Sequence, residues 1–187
     1  MGILRTVTLT AAALAGYRAL VRGDLTLDLG VGRRTRPLVC LPVDIEASRE
    51  VVFDVIAQPY LGRMTRAQRD KIDVVERGSD MVLAAHRTPV SGGLVATTLE
   101  TVRFERPERI RFRLVRGPVP FVVEQFVLTE TGTGTRLEYA GEMGTDLWGL
   151  GDWWGDRVAP PWEAAVQAAF ASVKTEAERL SGLPPRG

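Results

Sequence analysis

The stretch that decides the fold runs from Pro161 to Leu180, PWEAAVQAAFASVKTEAERL. In it Trp162, Ala165, Val166, Ala169, Phe170, Val173, Ala177 and Leu180 recur at helical spacing and share one face. Glu163, Gln167, Lys174, Glu178 and Arg179 fall on the other face. Pro161 suits a first helical turn, where its missing N–H has no partner to lose. Gly182 is a natural stop. A helix of this kind must lay its apolar stripe on a large apolar surface.

Upstream, the chain offers a sheet. Segments 72–77, 81–88, 94–105, 109–116, 121–129 and 135–145 read as strands. Short turns separate them, at Gly78-Ser79-Asp80, Gly92-Gly93, Arg106-Pro107-Glu108, Pro118 to Pro120, and Thr131 to Gly134. Strands joined this closely, with no helix between them, specify an antiparallel meander. The glycines at 132 and 134 belong to a hairpin, so a dinucleotide-binding reading fails its own context.

Leu25, Leu27, Leu29 and Val31 alternate with Thr26, Asp28 and Gly30, as in a half-buried strand. After a basic turn from Gly32 to Pro37, Val39, Leu41, Val43 and Ile45 repeat the pattern. Residues 25–46 are therefore expected to form two strands. Ser48 is placed to cap a short helix over Val51 to Ala57, with Glu50 near its positive end. Pro59 is expected to stop that helix, and a second short one to cover Tyr60 to Gln68. The expected class is α+β, a curved antiparallel sheet of about seven strands wrapped around a long C-terminal helix. Residues 1–24 read as an N-terminal helical extension and 25–182 as one domain.

Composition narrows the function. The 187 residues carry 24 Lys+Arg against 23 Asp+Glu, interleaved along the chain. That balance lacks the basic stripe of a nucleic-acid binder. Cys40 is the single cysteine and His86 the single histidine. No intrachain disulfide or Cys/His zinc cluster can form, and any histidine-dependent triad must use His86. No metal and no cofactor are expected, and the chain reads as cytoplasmic. Thr6 to Tyr17, between Arg5 and Arg18, is apolar or small but too short for the about 20 residues that span a bilayer. Ile3, Leu4, Val7, Ala11, Leu14 and Val21 fall loosely on one helical face. Three readings stay open: a helix packed on the domain or a partner, peripheral membrane contact, or a signal peptide cut near Ala13-Leu14-Ala15. The threefold dilution by Thr6, Thr8 and Thr10 argues against the last.

Four segments carry a family resemblance. They are VDIEASREVVFDVI (43–56), VRFERPERIRFRL (102–114), GTRLEYAGEM (134–143) and the helix 162–180. In this order they resemble the SRPBCC superfamily of START-related lipid-transfer and polyketide cyclase/dehydrase-like proteins, over about residues 38–181. The resemblance implies the helix-grip fold and a cavity between sheet and helix for a lipid, polyketide, sterol or other hydrophobic ligand. It supplies no short catalytic motif. Small-molecule pockets in general are apolar clefts of roughly 300–1,000 Å³.

Strand alternation predicts the lining. Phe112, Leu114, Phe126, Leu128, Leu137 and Tyr139 should face the helix, with Glu124 and Glu100 of the same parity as their apolar neighbours. An inward carboxylate is costly unless paired, hydrogen-bonded or protonated. Glu124 therefore reads as a ligand anchor, a general acid or base, or a carboxylate bonded to an arginine or to water. His86 reads as a proton-transfer group or as a hydrogen-bonded strand residue. Arg87 and Arg113 either meet an anionic ligand group or cover the outer face. The segment 146–162 sets Trp148, Trp153, Trp154 and Trp162 among glycines, as a lid or pocket rim, an end-closure of the core, or a partner or membrane surface. The expected ligand-binding set is Glu100, Phe112, Leu114, Glu124, Phe126, Tyr139, Trp148, Trp162, Val166 and Phe170, with Glu124 and His86 as catalytic candidates. Carriage of a hydrophobic molecule, a cyclase or dehydratase-like reaction, and a membrane- or protein-interaction role all remain open.

Overall fold

A computed structural model describes residues 2–182. The chain opens with helix α1 (Gly2–Arg22), then strands β1 (Arg34–Leu38) and β2 (Val43–Ile45). Helices α2 (Arg49–Leu61) and α3 (Arg66–Lys71) lead into β3 (Ile72–Arg77), β4 (Met81–Val90), β5 (Leu94–Glu105), β6 (Arg109–Arg116), β7 (Phe121–Thr131) and β8 (Gly134–Thr145). Helix α4 (Trp148–Leu180) closes the fold. The strands make one antiparallel sheet in the order β1-β8-β7-β6-β5-β4-β3, and β2 also pairs with β8. β1 lies along Gly141 to Thr145 and β2 along Thr135 to Leu137, so the two share one edge position. Seven positions result, in the expected architecture.

The first predicted strand does not form. Leu25 to Gly30 has no ladder, because Gly30 and Gly32 sit at φ 65° and 61°, left-handed kinks that extended pairing cannot accommodate. Its N–H groups go elsewhere, those of Leu29 and Gly30 donating to Asp146 Oδ2 at 2.7 and 2.8 Å. The residues expected to turn, 34–37, are instead in β1, and both early strands pair with β8 rather than each other.

Two proline expectations also fail. α2 runs through Pro59 to Leu61, with the Gly62 N–H closing on the Gln58 carbonyl. The second short helix starts later, at Arg66, where Thr65 and Gln68 form a capping box. α4 begins thirteen residues before Pro161 and carries both Pro160 and Pro161 inside. Leu147 and Trp148 adopt left-handed backbone (φ 71° and 47°) to swing the chain out of β8. That turn is held by the N–H groups of Leu147 and Trp148 donating to the Val31 and Gly32 carbonyls. The tryptophan segment is thus the first half of one helix.

The stripe of α4 buries Val166, Phe170 and Ala177, with Trp162, Ala165 and Val173 half-buried. Ala169 and Leu180 are exposed, so the buried face is narrower than the sequence stripe. Ile45, Val52, Phe53, Ile110, Leu137 and Phe170 are almost wholly enclosed. Each such side chain contributes about 1.5–3 kcal/mol. The polar flank of α4 is stitched rather than free. Glu163 accepts from the Val39 N–H, Gln167 from Leu41 N–H, and Glu178 from Glu46 N–H, while Lys174 Nζ donates to the Asp44 carbonyl. This seam fixes the helix along the sheet edge and so fixes what faces the interior.

Candidate functional site

Two polar groups stand on the inner face of the sheet, joined by aromatic rings. The first is on β4 and β5. His86 pairs with Thr98 and Ala84 with Glu100, so the short Ala84 side chain leaves His86 and Glu100 as diagonal neighbours. His86 Nδ1 lies 3.1 Å from Glu100 Oε2, off the line of a good hydrogen bond. Nε2 lies 2.8 Å from the Tyr60 hydroxyl at the end of α2. Thr98 Oγ1 donates to Glu100 Oε1 at 2.5 Å. Burial works against charge on both partners, but their mutual attraction prevails. His86 is held above its ordinary value and Glu100 below.

The second group centres on Glu124 of β7. It faces Gly141 on β8, and Tyr139 leans across that glycine to donate its hydroxyl to Glu124 Oε2 at 2.5 Å. Trp162 Nε1 of α4 donates to the same oxygen at 2.9 Å. Among the described residues no arginine bonds to it, and both its donors are neutral. Burial, then the nearby Glu100 charge, pushes Glu124 up to about 7, against the opposing hydrogen bonds from Tyr139 and Trp162. The Tyr60 and Tyr139 hydroxyls are likewise held protonated, first by burial and then by carboxylate charge.

Between these groups Phe112 lies 6.3 Å from His86 and 4.9 Å from Phe126, ring centre to ring centre. Phe126 stands edge-on to Phe170 at 5.0 Å and 6.1 Å from Tyr139. His86 is largely buried, with 18% of its side chain accessible to water. Glu124 is likewise only partly buried.

Of the expected lining residues, Glu100, Phe112, Glu124, Phe126, Tyr139, Trp162, Val166 and Phe170 come together here. Leu114 packs in a neighbouring cluster with Leu38, Val119, Val122 and Met143, which Tyr139 and Trp162 also touch. Trp148 does not join them. It is 55% exposed at the far end of α4, its ring on Gly32. Arg113 lies exposed on the outer face and Arg87 pairs with Asp73 at 3.3 Å. An open cleft of about 1110 Å³ is lined mostly by outward residues such as Thr101, Arg103, Arg111 and Gln125, and its lining also takes in Phe112, Leu114 and Glu124. Sequence reasoning missed Tyr60, Thr98 and Gly141. The last two share strand parity with Glu100 and Tyr139, which was the available signal.

A curved antiparallel sheet gripping one long helix defines the helix-grip class. The family described as polyketide cyclase / dehydrase and lipid transport matches residues 38–178, and the chain belongs to it. No curated protein matches the sequence. Among solved structures, the aromatase/cyclase Zhui from Streptomyces sp. R1128 is 19% identical with a TM-score of 0.56, over 79% of this chain and 94% of that one. Norcoclaurine synthase from Thalictrum flavum, in complex with dopamine and hydroxybenzaldehyde, is 14% identical with a TM-score of 0.60, over 83% and 91%. The di-domain aromatase/cyclase BexL of the BE-7585A biosynthetic pathway is 17% identical with a TM-score of 0.56, and this chain spans 50% of its length. At these identities the likeness is one of fold.

Proposed function

We propose that the protein binds a hydrophobic small molecule, lipid-, polyketide- or sterol-like, between the sheet and α4. The reading rests on one observation: His86 and Glu124 stand on the inner face of the sheet, each partly accessible, at either end of an aromatic wall. Rings and aliphatic side chains hold the apolar body of the ligand. Glu124, Tyr139 and His86 anchor an oxygen of it, a hydroxyl or a carbonyl. Glu124 near 7 is well suited to this, since the protonated form donates and the ionised form accepts. Native mass spectrometry of protein purified without added ligand should show a bound apolar species, and fluorescent fatty acids should compete for the space. An empty protein that takes up no probe defeats the proposal.

The same carboxyl group favours a second reading, a cyclase or dehydratase-like enzyme. A general acid or base works best when its pKa lies near working pH, and positioning supplies much of the remaining rate. Glu124→Gln and His86→Ala separate the two readings. In the enzyme, turnover of a polyketide-like substrate collapses while binding survives; in the carrier, the changes alter affinity alone.

A further inference from the structure

Beyond the inner face of the sheet, the molecule has a second apolar surface, at the end where α1, the 24–32 segment and the start of α4 meet. Leu14, Tyr17, Leu25, Leu27, Leu29, Val31, Trp148, Leu150 and Trp153 are each 41–62% exposed. Hydrogen bonds and ring contacts tie parts of this surface together. The backbone of 29–32 is bonded to Asp146, Leu147 and Trp148, which sets Leu29 and Val31 beside Trp148. Trp153 is stacked by the Arg157 guanidinium at 3.7 Å and lies 6.3 Å from Trp154. Trp154 in turn meets the Tyr17 ring edge-on at 6.0 Å. Exposed apolar patches of this extent mark interaction sites rather than ordinary surface.

The charge on α1 selects the occupant. Residues 1–23 contain Arg5, Arg18 and Arg22 and no acidic residue, in a chain whose charges otherwise balance. Arg18 and Arg22 are exposed, and neither has an ion-pair partner among the described residues. Over its 21 residues α1 extends about 30 Å. No described helix is long and apolar enough to cross a membrane. Basic residues beside aliphatic and tryptophan side chains suit the headgroup boundary, where an amphipathic ring has one wet and one apolar side.

We infer that this end of the molecule docks on the surface of an anionic lipid bilayer, with Trp148, Leu150 and Trp153 entering the headgroup region and Arg18 and Arg22 meeting lipid phosphates. The surface is independent of the interior site, so failure of either proposal leaves the other standing.

Vesicle sedimentation of the full chain tests this. With vesicles of phosphatidylcholine and phosphatidylglycerol the protein should pellet, and with phosphatidylcholine alone it should largely stay in solution. Arg18→Glu with Arg22→Glu should weaken pelleting roughly tenfold or more, as should 1 M salt. Leu150→Asp with Trp153→Ser, at exposed positions with the fold verified by circular dichroism, should abolish it. Either variant pair pelleting as the unaltered protein does overturns the inference. So does an unaltered protein that ignores anionic vesicles, including one whose patch proves covered by a second copy in analytical ultracentrifugation.

Discussion

Glu124 accepts two hydrogen bonds on one oxygen, and neither donor carries a charge to offset its own. Its carboxyl group therefore keeps a proton up to about 7, against an ordinary 4.5. Between those values the folded protein holds a proton that the unfolded chain has released, so stability falls as pH rises from 4.5 to 7, by on the order of 3 kcal/mol. His86 acts in the same direction: its contribution is full below 6.5 and lost as pH rises through its elevated folded value. Glu100 acts oppositely, its contribution fading as pH falls below 4.5. Urea melts from pH 4.5 to 8 should thus show highest stability near the acidic end of the range and a decline toward 8. Glu124→Gln should flatten that decline; an unchanged slope would refute the assignment. Gly141 has a related role. A Cβ there would lie 2.3 Å from the Tyr139 hydroxyl. Gly141→Ala should cost about 1–3 kcal/mol through overpacking and turn Tyr139 away from Glu124. Tyr139→Phe loses the same hydrogen bond without the clash, and should move the Glu124 titration upward when followed by pH-dependent melting. Parity made Glu124 and Tyr139 legible in sequence, but their bond across a glycine depends on cross-strand register, which alternation alone does not set.

At the scale of elements, the meander was legible because each strand has its own turn, whereas 24–33 was misread because its alternation is real but unpartnered. One carboxylate gathers several of the bonds that hold that segment, beside the paired hydrogen bonds of Thr26 with Gly117 and those of the Val31 and Gly32 carbonyls with the start of α4. Asp146 accepts from the Leu29 and Gly30 N–H groups and from Arg33, whose Nε lies 2.7 Å away. The Arg33 hydrogen bond, then the backbone donors, keep Asp146 down to about 2. Its contribution is thus complete above 3.8 and lost as pH falls through about 2. Asp146→Ala should cost about 2–3 kcal/mol and open 24–33 to limited proteolysis while the sheet persists. Cleavage confined to other loops would show the segment is held by something else. The start of α4 was unreadable for a comparable reason. Its prolines look like a boundary, but tertiary bonds at both ends, Trp154 to the Pro118 carbonyl and Trp162 to Glu124, carry the helix across them.

For the whole molecule the question is whether sheet and helix enclose space or fill it, and Val166 decides. It faces inward one turn from both Trp162 and Phe170, and is 8% exposed. Suppose the interior were solidly packed. Then Val166→Phe would force neighbouring rings off their rotamers and cost about 1–3 kcal/mol. If the ring instead enters a space that ligand occupies, the change should be neutral or stabilising and should exclude the ligand. A ligand at 100 times its Kd stabilises by about 2.7 kcal/mol. In a domain of this size that is a rise in Tm of roughly 5–10 °C. Differential scanning fluorimetry with a fatty acid should show this rise for the native sequence and none for Val166→Phe, with the unliganded melting points within about 2 °C of each other. The opposite pattern, a destabilised variant that keeps its ligand shift, would place binding elsewhere on the molecule. Glu124→Gln is the companion control, because it leaves the space open and should diminish the shift rather than remove it.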